Sequence, residues 1–439
     1  MVPEEVSGES GLVVALVSGS HFINHMYLVI LPPILTVLTG SFAVGLGALG
    51  VAMGVQSLVN TACLLPYGYL SDTRSRTLVL AACLGLGTLG VAIVAAAPSF
   101  AWLVVGQAVV GLGVAAHHPV HFPLLSDATP ESYRGRAFSV HGFAGSLGFA
   151  AAPAVITGVL AAGYSWRVAL GLLAGVGAVY GLLATLALHF LVDGSVTRPA
   201  LVEGDTPAAG ASGAGAADAG AADRARAALS SFRERVGELT DSPAIVALAA
   251  LALVSSTAAW GVTSYAAVFL ENGYGVSQSV ANLALTGMFV ASAVMILVGG
   301  TLADVVAPGP VMVASYALVA LVVGVLASGI LPALAAVGAV VLIGGVRSPS
   351  APARSTLADR ISGRADLGQN FAAITVGIML GSAVAPTVFG VVIERAGYRT
   401  AFLLIAAIAL LALGLTVWVL RRYGATFAGS EGMATPGDD

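Results

Sequence analysis

The sequence contains no lysine and little charge of any kind. Charged residues make up 9% of its 439 residues, whereas 58% are hydrophobic. So apolar a composition excludes a single water-soluble core and indicates an integral membrane protein. The two cysteines, Cys63 and Cys83, fall in separate apolar runs, so no disulfide framework or thiolate metal site is expected.

Long apolar runs, by contrast, recur along most of the chain. A helix needs about 20 mainly apolar residues to cross a bilayer, and barrel strands are much shorter. Twelve such runs predict helices, numbered here spans 1 to 12: 11–39, 44–70, 77–97, 100–126, 135–162, 167–191, 243–270, 276–302, 310–329, 332–355, 367–393 and 398–420. Glutamates rather than basic residues precede the first run, which predicts a retained helix and not a cleaved signal peptide.

The arginines predict the orientation of the spans. All 18 basic residues are arginine, and the predicted spans place only Arg167, Arg395 and Arg399 on the less basic side. Because cytoplasmic loops are enriched in basic residues, both termini and the long middle segment are predicted to be cytoplasmic. The expected location is the cell (plasma) membrane, with multiple spans.

The middle segment divides the chain into predicted domains. Residues 193–242 begin as an Ala/Gly-rich stretch, typical of a cytoplasmic linker. Within them, Arg224–Leu239 has apolar residues at helical spacing, which suits a surface helix. An N-terminal bundle (1–192), a C-terminal bundle (243–422) and a cytoplasmic tail (423–439) complete the prediction.

The two predicted bundles repeat one another. GYLSD at 68–72 returns as GTLAD at 300–304, and the interval from Phe138 to Pro153 returns between Phe371 and Pro386, at offsets of about 230 to 237. The repeat predicts an all-α membrane protein with twelve transmembrane helices in two pseudo-symmetric six-helix halves. Two parallel halves are typical of alternating-access transporters, with the substrate between them near the midplane.

The loop after span 2 carries a family likeness. Gly68-x-Leu70-x-Asp72-x-Arg74-x-Arg76 resembles the signature of the major facilitator superfamily, although Thr73 and Ser75 depart from it. The second copy keeps Gly300, Leu302 and Asp304 without the arginines. The resemblance implies the major facilitator fold and a gating loop that acts mainly in the first half. The implied gating residues are Gly68, Asp72, Arg74, Arg76 and Asp304.

Other motifs resemble the fosmidomycin-resistance-like efflux proteins of that superfamily. They are SHFINHMY (20–27), HHP (117–119) and SVHGFAGSLGFAAAP (139–153). His25 and Val120 stand where those proteins have acidic residues. The resemblance implies proton-coupled efflux of a drug-like compound.

Acidic residues are absent from the middle of every predicted span, and histidine takes their place. Six of the seven histidines lie in spans 1, 4 and 5: His21, His25, His117, His118, His121 and His141. Residues four apart share a helix face, so His21 stands over His25 and His117 over His121, with His118 about 100° away. The superfamily resemblance implies that spans 1, 4, 7 and 10 line the cavity, so four of these rings are expected to converge there, with His141 beside them.

Each histidine also has other interpretations. A single histidine in a membrane helix usually hydrogen-bonds a neighbouring helix. Histidine pairs four apart can ligate zinc, but the lack of a nearby cysteine or carboxylate disfavours a metal site. Without an intramembrane carboxylate, histidine is the residue type expected to carry any pH dependence.

Arg347 occupies the position of His117 in the second copy, at an offset of 230. It either snorkels to the cytoplasmic end of span 10 or faces the cavity. In the second case the site is cationic, and the guanidinium suits a carboxylate, phosphate or phosphonate.

Together these features predict a secondary active transporter, most simply a monomer that exports an organic anion or drug-like compound in exchange for protons. The alternative is uptake or facilitated transport of a small anionic metabolite. A membrane enzyme or non-transporting sensor is disfavoured, and no catalytic residue, cofactor, metal or nucleic acid is expected. The predicted substrate-binding or coupling residues are His21, Asn24, His25, His117, His118, His121, His141 and Arg347.

Overall fold

The computed structural model describes residues 7–198, 242–361 and 367–428, and these form helices joined by short connections. Eleven of the described helices are long and apolar enough to cross a membrane: Gly8–Phe42, Leu46–Thr73, Arg76–Ala96, Phe100–Ala128, Glu131–Ala161, Trp166–Leu191, Pro243–Tyr274, Gln278–Ile296, Pro308–Ser328, Ala333–Asp359 and Ala373–Gly424. The last is interrupted at Gly397, whose φ of 85° and ψ of 166° are not helical. It therefore contains both span 11 and span 12, and the predicted all-α fold is confirmed.

Spans 4 and 10 are both broken near the middle. Span 4 consists of Phe100–Val114 and His117–Ala128, and span 10 of Ala333–Arg347 and Ser350–Ile361. A proline follows each first segment, and proline lacks the backbone donor that a continuous helix needs. The breaks lie within one helical turn of equivalent positions in the repeat. Each places a predicted site residue, His117 or Arg347, beside irregular backbone.

The two halves are joined at the ends of the spans that lie opposite the termini. There, Glu394 Oε1 accepts a hydrogen bond from Gly47 N at 2.8 Å, and the amide of Asn282 in span 8 donates to Pro33 O of span 1 at 3.0 Å. A side chain at Gly50 would collide with the backbone of Pro386, so glycine permits this close approach. The structure is thus closed at this end.

The linker prediction falls largely beyond the described residues. A short helix, Gly194–Thr197, follows span 6. The predicted surface helix at 224–239 lies outside the described residues, as does the tail from residue 429 onward.

Candidate functional site

Six histidine rings lie together inside the N-terminal half, among them the two pairs that the helical spacing places on shared faces. The ring centroid of His21 lies 4.0 Å from that of His25, 4.1 Å from His141 and 5.5 Å from His117. The rings of His118 and His121 follow at 5.8 and 6.0 Å. We call these six residues the histidine cluster. The seventh histidine, His189, lies apart from it, against Phe190.

Glycines of span 5 allow the cluster to form. A side chain at Gly145 would collide with the His21 ring, and one at Gly148 would collide with the backbone of Phe22. Small residues at these positions bring span 5 against span 1, and close approach of this kind is the usual basis of packing between membrane helices. The glycine run after Ser139 therefore serves the site as well as the packing.

Three rings of the cluster are oriented by backbone carbonyls. The Nδ1 atoms of His21 and His25 lie 2.9 Å from His141 O and 3.0 Å from Gly145 O. His117 Nδ1 lies 2.5 Å from Val114 O, a carbonyl at the break in span 4. Since a carbonyl oxygen can only accept, each Nδ1 must carry the hydrogen. In the neutral rings each Nε2 is then an unprotonated nitrogen.

The other cluster residues are less fully bonded. His121 Nε2 lies 2.8 Å from Ser20 Oγ. The ring of His118, expected to point away from His117, nevertheless lies 3.7 Å from it because both occupy the first turn after the break. Both ring nitrogens of His141 are buried without a hydrogen-bond partner.

Asn24 faces span 3 rather than the rings. Its amide donates to Ser20 O at 2.8 Å, and its carbonyl oxygen accepts from Cys83 Sγ at 3.3 Å. Its connection to the cluster is indirect, through Ser20, the partner of His121.

The C-terminal half contains a cavity of about 260 Å³ beside the break in span 10. Arg347 lines it and donates to Ala259 O and Thr263 Oγ1 of span 7, at 3.3 and 3.1 Å. Arg354 also lines it and donates to Ser255 Oγ at 3.2 Å. We call this space the arginine cavity. Arg347 therefore lines a cavity near the break instead of extending to the end of its span.

The arginine cavity is positively charged, with serines and two arginines set in a mainly apolar lining. Serines from spans 7, 8 and 10 face it, and none of the described residues that line it is Asp or Glu. Sequence reasoning assigns Arg354 to the cytoplasmic end of span 10, whereas the structure shows that it also lines the cavity, seven residues after Arg347. Two permanent cations with no carboxylate partner among the described residues make this cavity suited to an anion.

An aromatic contact connects the two regions. The ring of Phe149 lies 4.2 Å from His25 in its own half. Across the interface it lies 5.3 Å from Phe289 and 6.5 Å from Trp260, which lines the arginine cavity. Sequence reasoning missed Phe149, because an aromatic residue among small ones gives no sign of what it faces.

The arginine that ends the loop after span 2 pairs with a carboxylate of another span in this state. Arg76, with 8% of its side chain exposed, pairs with Asp127 of span 4 at 2.5 Å and donates to Val196 O at 2.8 Å. Asp72 and Arg74 are exposed, and a side chain at Gly68 would meet open space. The side chain of Asp304 lies outside the described residues.

A family model described as the Major Facilitator Superfamily matches residues 17–269 and 248–433. The chain belongs to this superfamily. It is accordingly a multi-pass membrane transporter and not an enzyme.

Solved structures show the same facilitator fold. A bacterial homolog of the human lysosomal transporter Spinster, in an inward-facing and occupied conformation, superposes with a TM-score of 0.75 at 14% identity, covering 96% of this chain and 98% of that one. Its inward-facing and unoccupied form gives 0.72 at 16% identity, covering 97% and 98%. These likenesses establish the fold alone.

A curated relative matches a smaller part of this facilitator. Over 122 residues the chain is 30% identical to Myo-inositol transporter 3A of Cryptococcus neoformans var. grubii serotype A, an alignment that covers 28% of this chain and 20% of the relative. The chain thus matches a fifth of that protein's length. The closer likeness to fosmidomycin-resistance-like proteins stays a prediction.

Proposed function

We propose that the protein is a monomeric secondary transporter that moves a small organic anion by alternating access. Its location is the cell membrane, with both termini in the cytoplasm. The observation that carries the proposal is the arginine cavity, in which Arg347 and Arg354 face a space without a carboxylate among its described lining residues.

The charge of that cavity selects the substrate class. At membrane depth a charge without a partner is expensive, and the low dielectric strengthens both attraction and repulsion. A bound carboxylate or phosphonate would offset the charge of Arg347 through charge-assisted hydrogen bonds of about 1.5–3 kcal/mol each. A cationic solute would meet repulsion of the same origin.

The contacts between the halves support alternating access. The hydrogen bonds of Gly47 and Asn282 hold one end closed. To open that end, the halves must separate at these contacts and rotate about the central region, where Phe149 packs on Phe289. The exposed Asp72 is then free to pair with an arginine or a helix N-terminus in the other state.

The direction and the coupling ion rest on other grounds. Export in exchange for protons is supported by the resemblance of the motifs at 20–27 and 139–153 to those of efflux proteins. Facilitated transport or uptake of a small anionic metabolite is the second candidate, favoured by the lack of acidic residues in the middle of the spans.

Transport in proteoliposomes of known orientation tests the proposal. Labelled carboxylates, phosphonates and organic cations of similar size are presented with and without a pH gradient. We expect uptake into vesicles of one or more anions and of none of the cations, with a rate that depends on the gradient. Cation transport without anion transport would refute the substrate class, and anion transport indifferent to the gradient would favour the facilitated alternative.

A further inference from the structure

When its rings are neutral, nitrogen lone pairs in the histidine cluster face one another without a hydrogen between them. His21 and His25 each donate from Nδ1 to a carbonyl, so their Nε2 atoms are bare, yet these two atoms lie 2.9 Å apart. His117 donates from Nδ1 in the same way, and its Nε2 is buried without a partner. One ring nitrogen from each of the three residues lies within 4.8 Å of the other two. A positive charge placed among them would remove the repulsion.

We propose that His21, His25 and His117 form a binding site for a divalent transition-metal cation such as Zn²⁺. Neutral imidazole nitrogens are good ligands for Zn²⁺, Ni²⁺ and Cu²⁺. Tetrahedral zinc with bonds of about 2.0–2.1 Å needs ligand nitrogens about 3.3 Å apart, so the His21–His25 pair needs to widen by only a few tenths of an ångström. Three histidines leave a fourth position open for a solvent or solute ligand.

The second ring nitrogens have the partners that a metal site requires. Histidines that ligate metals usually donate the other ring N–H to a carbonyl or carboxylate, which fixes the tautomer and the orientation of the ring. His21, His25 and His117 all do so through backbone carbonyls, two of span 5 and one at the break in span 4. The site is therefore oriented by the backbone before any ion binds.

A shared proton explains less of the geometry than a metal does. A proton between His21 and His25 would relieve that pair alone, because a proton bridges two acceptors. His117, 3% exposed, would still hold a buried nitrogen without a partner, and such a group is costly. A metal ion would satisfy all three nitrogens once the His117 nitrogen, which lies within 4.8 Å of the other two, closes to about 3.3 Å.

Neighbouring residues shape the choice of ion. The described residues of the cluster include no thiolate and no carboxylate, so hard cations such as Mg²⁺ and Ca²⁺ lack their preferred oxygen ligands. Only His21, His25 and His117 bring ligand nitrogens within 4.8 Å of one another among the described residues, so solvent or a solute would complete the coordination of the ion. The bound ion would keep its charge beside a cavity that already carries arginines. Binding of the metal ion to the three histidines does not depend on which solute the protein transports.

Equilibrium binding of Zn²⁺ to the purified full chain in detergent tests the site without any transport assay. Titration calorimetry in a non-chelating buffer should give one zinc per chain, and Co²⁺ should give the visible absorption of a tetrahedral nitrogen site. His117→Gln and His25→Gln should each weaken zinc binding at least tenfold. His189→Gln, which removes the histidine outside the cluster, should bind as the unmodified chain does.

Several results would overturn the site. One is a folded, unmodified chain that retains its thermal transition yet binds no zinc. Another is binding that both cluster variants preserve, or that His189→Gln removes. A ¹⁵N spectrum that shows a stable imidazolium at His21 or His25 in the zinc-treated chain would replace the metal with a proton. If His117→Gln does not fold, the half-buried His25 decides the matter.

Discussion

The histidine cluster and the arginine cavity occupy corresponding places in the two halves but have opposite chemistry. His117 and Arg347 are related by the repeat offset of 230 residues. His117 presents an electron pair from a buried nitrogen, whereas Arg347 presents hydrogen-bond donors and a permanent charge. One region is suited to cations and protons, and the other to anions.

The comparison shows that duplicated bundles can keep a backbone and exchange the chemistry on it. Spans 4 and 10 break within one turn of equivalent positions, so each half offers an irregular segment at membrane depth. Such backbone is tolerated where it lines a cavity. Side chains placed there determine what each half binds, and an asymmetric pair of sites can hold two different ligands.

Removing the charge of Arg347 should cause the largest loss of transport, because it removes the chemical difference between the two halves. Arg347→Gln keeps donors for Ala259 O and Thr263 but loses the guanidinium, so anion transport should fall by about ten- to a hundredfold. The measurement is the initial rate in proteoliposomes at matched protein density. Arg395→Gln, at an exposed position, is the control and should transport normally. An anion carried equally well by both variants would contradict the assignment of Arg347.

The loop after span 2 also distinguishes the two halves, because only the first copy of its motif keeps the arginines. Asp72→Asn should reduce transport about tenfold through the loss of one charge-assisted contact in the opposite state. The melting temperature should stay constant, since Asp72 is exposed in this state. Glu131→Gln, another exposed carboxylate, is the control. Asp127→Asn breaks the ion pair with Arg76 and should lower the melting temperature instead. Asp72 would be excluded as the gating group if Asp72→Asn lowered the melting temperature and left transport unchanged.

The two halves contact each other at the closed end. A larger side chain placed in that contact should reduce both stability and transport. Gly50→Val would press against the backbone of Pro386 and should cost about 1–3 kcal/mol, with a several-fold loss of transport. Gly85→Val, in a helix position with open space, is the matched control. Thermal unfolding in detergent and transport rates measure both. Equal behaviour of the two variants would mean that the halves do not close here.

The smallest expected effect is the loss of stability when one hydroxyl is removed from either half. Ser20→Ala leaves His121 Nε2 buried without its partner and should destabilise the protein by about 1 kcal/mol. Ser256→Ala, in the other half, removes a donor to Ile378 O at 2.8 Å, a helix carbonyl that accepts from its own helix as well, and should cost less. Denaturant titration of both variants ranks them. A larger loss in Ser256→Ala would indicate that the arginine cavity is the more tightly bonded region.

Apolar runs are enough to predict the spans, and returning motifs are enough to predict the repeat, whereas the helical period adds only which histidines share a face. Residues four apart must share a face, so the pairing of His21 with His25 follows from their spacing alone. The Nδ1 contacts do not, because they depend on how near span 5 approaches span 1 at Gly145. The pairing of Arg76 with Asp127 likewise depends on the distance between two span ends, which the sequence does not encode locally.

The paired breaks also bear on the history of the chain. A bend found in both copies is most simply inherited from the single six-helix unit that was later duplicated. The residues beside it, histidine in one copy and arginine in the other, then diverged by ordinary point substitutions on a bend already present. The ancestor, assembled from two identical units, would have had the same chemistry on both sides of its central space. If the two sites act as proposed, the chemical difference between the halves is therefore younger than the fold that they share.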